Sequence, residues 1–226
     1  FGEAGNDVLV GGAGDDTMVG GRGDDTYLVG QIGDVLTEAK DSGIDTAKAA
    51  IDYTLAANME NLVLTGTADL EGKGNALANT LSGNAGSNTL YGFAGNDTLN
   101  GGNGADILRG GHGKDILAGG AGADQFVFAS GDSDALRAKA DTIVDMKGSG
   151  GDRIDLRLID ANGNRDGNQA FHFIGTDSFE GHAGELRYEK TGSDTYILAD
   201  TNGDGKSDFT LHLDDAMALT QAHFML

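Results

Sequence analysis

The sequence predicts an all-β fold: a right-handed parallel β-roll over residues 1–128, closed by an antiparallel β-rich cap over residues 129–226. Three observations predict it. Six nine-residue segments of the form G-G-x-G-x-D-x-U-x, with U a large apolar residue and Glu3 replacing the second glycine of the first segment, stand in two runs. Glycine reaches 39 of 226 residues with no proline at all. After Phe128 glycine thins out and strand-like apolar runs begin.

The two runs justify the roll. Residues 2–28 read GEAGNDVLV, GGAGDDTMV and GGRGDDTYL; residues 101–127 read GGNGADILR, GGHGKDILA and GGAGADQFV. Six residues make a turn and three a short strand. In so short a strand only the middle side chain points inward, so one apolar residue per nine is enough to line a core. Every ninth residue from Asp7 to Asp124 is Asp or Asn at twelve of fourteen positions, the exceptions being Gly43 and Leu70. Two places further on stand Leu9, Met18, Tyr27, Leu36, Val63, Leu81, Leu90, Leu99, Leu108, Leu117 and Phe126, interrupted at Asp45, Thr54 and Gly72. The two runs therefore share one phase, which unrelated runs would do about one time in nine. The expectation is one continuous solenoid from Phe1 to about Phe128. A flexible glycine-rich linker would not hold Asp and Leu at a fixed two-residue offset.

The turns carry the candidate chemistry. Glycine tolerates left-handed backbone and leaves carbonyl oxygens open, and the sixth-place Asp adds a hard anionic oxygen. Ca2+ takes six to eight such oxygens, more than one turn supplies, so turns 18 residues apart on one edge are expected to share an ion. Asp7 pairs with Asp25, Asp16 with Asp34, Asp97 with Asp115, and Asp106 with Asp124. Gly12, Gly14, Gly21, Gly23, Gly102, Gly104, Gly111, Gly113, Gly120 and Gly122 are the candidate backbone ligands beside them.

Between Val29 and Leu77 the turn glycines mostly vanish, and Ile32, Ala50, Met59 and Leu77 stand in their slots. Coils within 38–82 are expected to keep their strands but to hold few or no ions, unlike the ion-rich runs 1–37 and 83–128. Asn61 and Asn79 read as a ladder of stacked turn asparagines. Asn88, beside the second run, is a candidate ligand, the alternative being one more rung of that ladder.

A solenoid end needs a cap over its last apolar layer. The runs at 141–146, 152–156, 170–175, 184–189, 194–200 and 208–213 supply strands for it. Within the cap, DTNGDGKSD places Asp200, Asn202 and Asp204 at alternate positions, then Gly205, the Lys206 carbonyl and Asp208. The first half matches an EF-hand loop, but Leu211 stands where that pattern has a bidentate Glu. The expectation is an EF-like Ca2+ loop joining two strands; the alternative is an Asx-rich turn without an ion.

Composition excludes several classes. Thirty-six Asp and Glu against fifteen Lys and Arg, a net charge of -21, oppose nucleic acid or an anionic membrane as partner. The absence of cysteine excludes disulfides and thiolate metal sites. No apolar run approaches the ~20 residues of a membrane span. There is no H-E-x-x-H and no G-x-S-x-G, and the five histidines show no i, i+4 pair. No catalytic residue is assigned, and an enzyme, if the protein has one, is expected N-terminal to Phe1, which stands inside a repeat.

The nonapeptides, with GADQFVF at 122–128, DTIVDM at 141–146 and GDRIDL at 151–156, resemble the C-terminal part of RTX proteins exported by type I secretion. The likeness is to serralysin C-terminal domains and mannuronan C5-epimerase R-modules, and it extends over nearly the whole chain. It implies that Asp145 and Asp152 help hold a further ion; Met146 stands where an aromatic is usual. It also implies a C-terminal export signal in which Phe224, Met225 and Leu226 form the apolar end, with His223 where an acid is expected. The resemblance implies a secreted, extracellular, monomeric module that partners Ca2+, the type I export apparatus and an N-terminal domain of the same chain. It folds on Ca2+ outside the cell and supports secretion and stability of that domain. A second reading is an adhesion or polysaccharide-binding module with structural Ca2+; the slots preceding the inward residues hold Val, Thr, Ile and Gln rather than aromatics, which speaks against it.

Overall fold

The computed structural model describes residues 1–40, 42–148 and 151–226. The first coils follow the nine-residue logic: strands Val8–Val10, Thr17–Val19 and Val35–Thr37 each bury their middle residue. Successive strands belong to opposite sheets, so a chain returns to the same sheet after 18 residues and pairs there in parallel. Leu9 lies beside Tyr27, Leu99 beside Leu117 and Leu90 beside Leu108. Among the described residues this produces a twelve-stranded and a seven-stranded sheet, with two short two-stranded ones at the N-terminal end. Leu81, Leu90, Leu99, Leu108, Leu117 and Phe126 are fully buried between the sheets.

The middle coils depart from the nine-residue register while preserving its outcome. Along one edge the offsets between paired strands are 20, 15 and 19 residues, together equal to three regular offsets of 18. The glycine-rich runs keep one phase because the irregular lengths compensate. Inside this region the expected assignments shift. Asp45 stands at the turn end where Gly43 was expected, and Ala47 faces inward after it. Leu62 and Leu64, not Val63, point into the core; a one-residue slip moves every side chain of a strand to the other face. Gly72 does occupy an inward slot, beside Leu90, where the neighbouring leucines fill the missing side chain's space.

The parallel stack also runs past residue 128. Strand Asp141–Ile143 pairs in parallel with Ile116–Ala121, and Arg153–Leu158 with Gln125–Ala129. Both repeat the aspartate-to-apolar offset, Asp141 before Ile143 and Asp152 before Ile154, so each adds a layer. Among the described residues antiparallel pairing is confined to Glu185–Thr191, Asp194–Asp200 and Phe209–Leu213. Phe209 meets Phe128 edge-on at 5.8 Å, and the end strand Phe224–Met225 pairs with Arg153–Leu158. Among the described residues no helix is long and apolar enough to cross a membrane.

Candidate metal centre

The two oxygens of each turn aspartate have different surroundings. Oδ1 accepts a hydrogen bond from the backbone N–H one layer earlier. Asp7 donates to Asp25 at 2.8 Å, Asp16 to Asp34 at 3.1 Å, Asp97 to Asp115 at 2.8 Å and Asp106 to Asp124 at 2.9 Å. The four predicted pairs are thus stacked neighbours. Oδ2 is the informative atom: in Asp7, Asp16, Asp25, Asp97, Asp106, Asp115 and Asp124 it is buried with no hydrogen-bond partner. Among the described residues none of these carboxylates forms an ion pair. A buried anionic oxygen without a counter-charge costs several kcal/mol, so the arrangement calls for a cation.

At two repeats the first glycine shows where that cation would sit. A Cβ added at Gly2 would lie 2.6 Å from Asp7 Oδ2 and 2.5 Å from the carbonyl oxygen of Gly20. At Gly101 it would collide with Asp106 Oδ2 and come within 2.7 Å of the Gly119 carbonyl. A carboxylate oxygen and a carbonyl oxygen from the next layer therefore converge on one space above this glycine. The motif alone did not single these positions out. The glycines it did single out have another visible role: Gly12, Gly14, Gly21, Gly23, Gly102, Gly104, Gly111, Gly113, Gly120 and Gly122 all have positive φ, from 89° at Gly12 to 151° at Gly122, and they shape the turn.

Burial sets the electrostatics. It pushes Asp97 up to about 7 and Asp106 and Asp115 up to about 6, partly opposed by the backbone N–H each accepts. The stacked neighbours add repulsion, Asp115 on Asp97 and Asp124 on Asp106. Asp34 goes the other way: against its burial, N–H donors from Asp16, Gln31 and Gly30 hold it below the usual carboxylate range.

Asp141 belongs to the set although the motif did not reveal it. Its Oδ1 accepts from Asp115 N–H at 2.8 Å, its Oδ2 is buried and unpartnered, and burial pushes it up to about 8. Asp45 is its counterpart in the N-terminal half, accepting from Asp25 N–H. Both lie two residues before a buried apolar residue, Ile143 and Ala47, and that offset is the signal that finds them.

Asp145 and Asp152 approach the same edge. Asp145 accepts N–H bonds from Gly119 and Gly120, and Asp152 accepts from Asp124 and Lys147. Both repel the Asp124 carboxylate. Asn88 is buried, but its amide is satisfied by Asn84 through Asn84 N–H and Asn84 Oδ1. Asn79 donates to the Met59 carbonyl. The amide of Asn88 bonds within its own turn and that of Asn79 reaches backbone carbonyls one layer earlier, so neither stacks on the asparagine of another layer.

The loop 200–208 brings its predicted residues together as interlocked Asx turns. Asp200 accepts from the N–H groups of Asn202, Gly203 and Gly205, Asp208 accepts from Thr201 and Asn202, and Asp204 accepts from Lys206 N–H. No buried oxygen there lacks a partner. Two histidine–carboxylate groups in the cap, Glu180 with His182 and Glu185, and Asp194 with His212 and Asp214, also draw ligand-type atoms within 4.8 Å. Neither leaves a buried carboxylate oxygen unpartnered. An all-oxygen, anionic donor set fits Ca2+, and the turns of Asp7, Asp16, Asp25, Asp97, Asp106, Asp115, Asp124 and Asp141 fit it best; the expected ligands Asp34 and Asn88 fit less well, because Gly30 and Gln31 N–H occupy Asp34 Oδ2 and Asn84 satisfies the Asn88 amide.

Comparison with known proteins agrees with this chemistry. The family described as Peptidase M10 serralysin C terminal matches residues 87–226, and the RTX calcium-binding nonapeptide repeat (4 copies) matches residues 1–30. The AlgE6R2 subunit of the Azotobacter vinelandii mannuronan C5-epimerase superposes with a TM-score of 0.50 at 29% identity, covering 70% of this chain and 92% of that one. The AlgE6R3 subunit of the same enzyme gives 0.34 at 27% identity over 71% and 80% of the two chains. The extracellular lipase LipA from Serratia marcescens gives 0.37 at 14% identity, covering 98% of this chain and 38% of that one. No curated protein sequence matches.

Proposed function

The chain belongs to the serralysin C-terminal family, as an RTX-type calcium-binding solenoid that corresponds to a non-catalytic region, and on that premise we propose that it is a calcium-driven folding and export module. The observation that carries the reading is the row of buried, unpartnered Oδ2 atoms along both edges of the roll. The proposed ligands are Asp7, Asp16, Asp25, Asp97, Asp106, Asp115, Asp124 and Asp141 with glycine carbonyls of adjoining turns; Asp145 and Asp152 flank the last of them. The 200–208 loop is a separate candidate whose ligands would first release their own hydrogen bonds.

Without the ion, stacked carboxylates repel one another, and one apolar residue per nine gives a small hydrophobic term against chain entropy. Binding free energy then becomes folding free energy. The chain stays open where Ca2+ is scarce and closes outside the cell, where it supports secretion and stability of an attached N-terminal domain. Phe224, Met225 and Leu226 suit a signal read before folding: in the roll, Phe224 is buried against Phe173 with ring centroids 5.2 Å apart, so the folded state hides it.

Far-UV circular dichroism of the chain in EDTA, titrated with Ca2+ and separately with Mg2+, tests the reading. A disordered spectrum that becomes β-rich with Ca2+ alone supports it; a complete β spectrum in EDTA refutes it.

One observation favours a second reading, a module that binds a sugar polymer. A groove of about 340 Å³ on the outer face of the seven-stranded sheet is lined by Glu71, Lys73, Tyr91, Phe93, Arg109 and His112. Tyr91 and Phe93 stack there with centroids 6.2 Å apart. This aromatic pair follows the inward Leu90 and lies outside the slots preceding the inward residues, which hold no aromatics. Calorimetry with neutral and uronate oligosaccharides against the calcium-loaded chain and its Tyr91→Ala variant tests it; no heat with any sugar would remove it.

A further inference from the structure

The nonapeptide motif fails after Asp34, and the coil that follows is two residues longer than its predecessors, with 20 residues separating Asp25 from Asp45. At this failure three carboxylates come together. Asp25, Glu38 and Asp45 are buried, at 1%, 7% and 0% exposure, and offer ligand atoms within 4.8 Å of one another. Oδ2 of Asp25 and Oδ2 of Asp45 are buried without any hydrogen-bond partner. Among the described residues no Lys, Arg or His pairs with the three.

Glu38 stands 18 residues after Gly20, where the repeat would place its first glycine. In the regular layer below, the space above Gly2 is bounded by Asp7 Oδ2 and the Gly20 carbonyl. One layer on, a Cβ at Gly20 would collide with Asp25 Oδ2, Tyr27 Oη and Glu38 Oε1. The Glu38 carboxylate has thus taken the place of a glycine carbonyl. It is held there from two sides. Tyr27, in the inward slot that leucine or methionine fills in neighbouring coils, donates its hydroxyl to Glu38 Oε1 and accepts Gly20 N–H at 2.7 Å. Ser42 donates to Glu38 Oε2 at 3.0 Å.

We propose that Asp25, Glu38 and Asp45 form a divalent-cation site outside the nonapeptide motif, of the hard-oxygen class that takes Ca2+. Three buried carboxylates with no basic partner need a positive charge more acutely than any regular turn, because Glu38 adds a full charge where the repeat supplies a neutral carbonyl. The coil at 38–45, expected to hold few or no ions, then carries one, directly after the glycine-rich first run. The inference rests on the reading of the roll's edges as cation sites, since Asp25 belongs to both.

The test is the number of Ca2+ ions bound by the full chain, measured by equilibrium dialysis, for the wild type and Glu38→Gln. The expected result is one ion fewer in Glu38→Gln with the calcium-induced β spectrum kept. Equal numbers in the two proteins overturn the proposal while leaving the nonapeptide sites standing; a wild type that binds no Ca2+ overturns both. If Glu38→Gln does not fold, terbium replaces calcium: Tyr27, one of five tyrosines in a chain without tryptophan, lies against the candidate ligands and would sensitise the ion's emission. Loss of that emission in Tyr27→Phe supports the site, and unchanged emission overturns it.

Discussion

Replacing Asp97 by Asn changes stability in opposite directions with and without calcium. Asp97 is 1% exposed, and its Oδ1 accepts Asn79 N–H at 2.7 Å while its Oδ2 has no partner. Burial, with the Asp115 charge behind it, raises its pKa from 3.8 to about 7. A carboxyl whose pKa is raised by folding favours the folded state at low pH, and that contribution is lost as pH rises through the folded-state value. At pH 8 without metal the ionised group therefore opposes folding, by on the order of 2–4 kcal/mol for a shift of this size. Asn keeps the shape and the bond from Asn79. Its Nδ2 would occupy the Oδ2 position, beside the Gly110 carbonyl that shares the space above Gly92, as Asn79 Nδ2 already bonds to the Met59 carbonyl. In EDTA at pH 8, with sodium sulfate added to strengthen apolar burial, Asp97→Asn should fold at a lower sulfate concentration than the wild type. In a calcium titration it should need several-fold more Ca2+, having lost an anionic ligand. Destabilisation in both experiments would mean that Asp97 acts through packing or hydrogen bonding, and would refute the charge argument.

Other outcomes follow from the same geometry. The pH dependence should reverse with metal: between pH 8 and 5 in EDTA, acidification should raise β content as Asp97, Asp106, Asp115 and Asp141 take up protons, whereas the Ca2+ midpoint followed by circular dichroism should rise over the same range because protons compete for those oxygens. Gly101→Ala should weaken calcium-induced folding at least tenfold in midpoint, because its Cβ would collide with Asp106 Oδ2 and crowd the Gly119 carbonyl; Gly101 does not have positive φ, so backbone strain is not the cause, and an unchanged midpoint would contradict the cradle. Leu108→Ala, which empties a fully buried slot between Leu90 and Phe126, should lower the stability of the calcium-loaded chain by about 2–5 kcal/mol in chemical denaturation. Phe224→Asp should reduce export of the chain from a cell carrying a type I apparatus, with calcium-induced folding of the purified protein changed less; normal export would remove Phe224 from the signal.

The residues explain what was legible. A motif of nine with a single inward residue dictates short parallel strands, and Leu99, Leu108 and Leu117 lie where the period places them. The aspartate pairs were equally legible, because one stacking period carries each carboxylate onto the N–H of the previous layer. The middle was not, since coil lengths of 20, 15 and 19 cancel and leave the outer phase intact. A period count therefore assigns Val63 inward where Leu62 and Leu64 are, and misses Asp45. Asp141 was hidden differently: its separation of 26 residues from Asp115 belongs to no repeat, and only the offset to Ile143 betrays it. The first-glycine cradle needed coordinates, because it is formed by oxygens from two layers. In the 200–208 loop, alternating Asp and Asn specify the turn well, but the same side chains serve equally as hydrogen-bond acceptors for the loop's own N–H groups.

The most direct test of calcium-driven folding is the radius of gyration by small-angle X-ray scattering in EDTA and in saturating Ca2+. A folded chain of this length has a radius near 17 Å, somewhat more for an elongated roll, and an unfolded one about 50 Å. Calcium-driven folding predicts a fall from near the larger value to near the smaller on adding Ca2+, and no change on adding Mg2+. A compact particle in EDTA, with the same radius as the calcium-loaded chain, would contradict it.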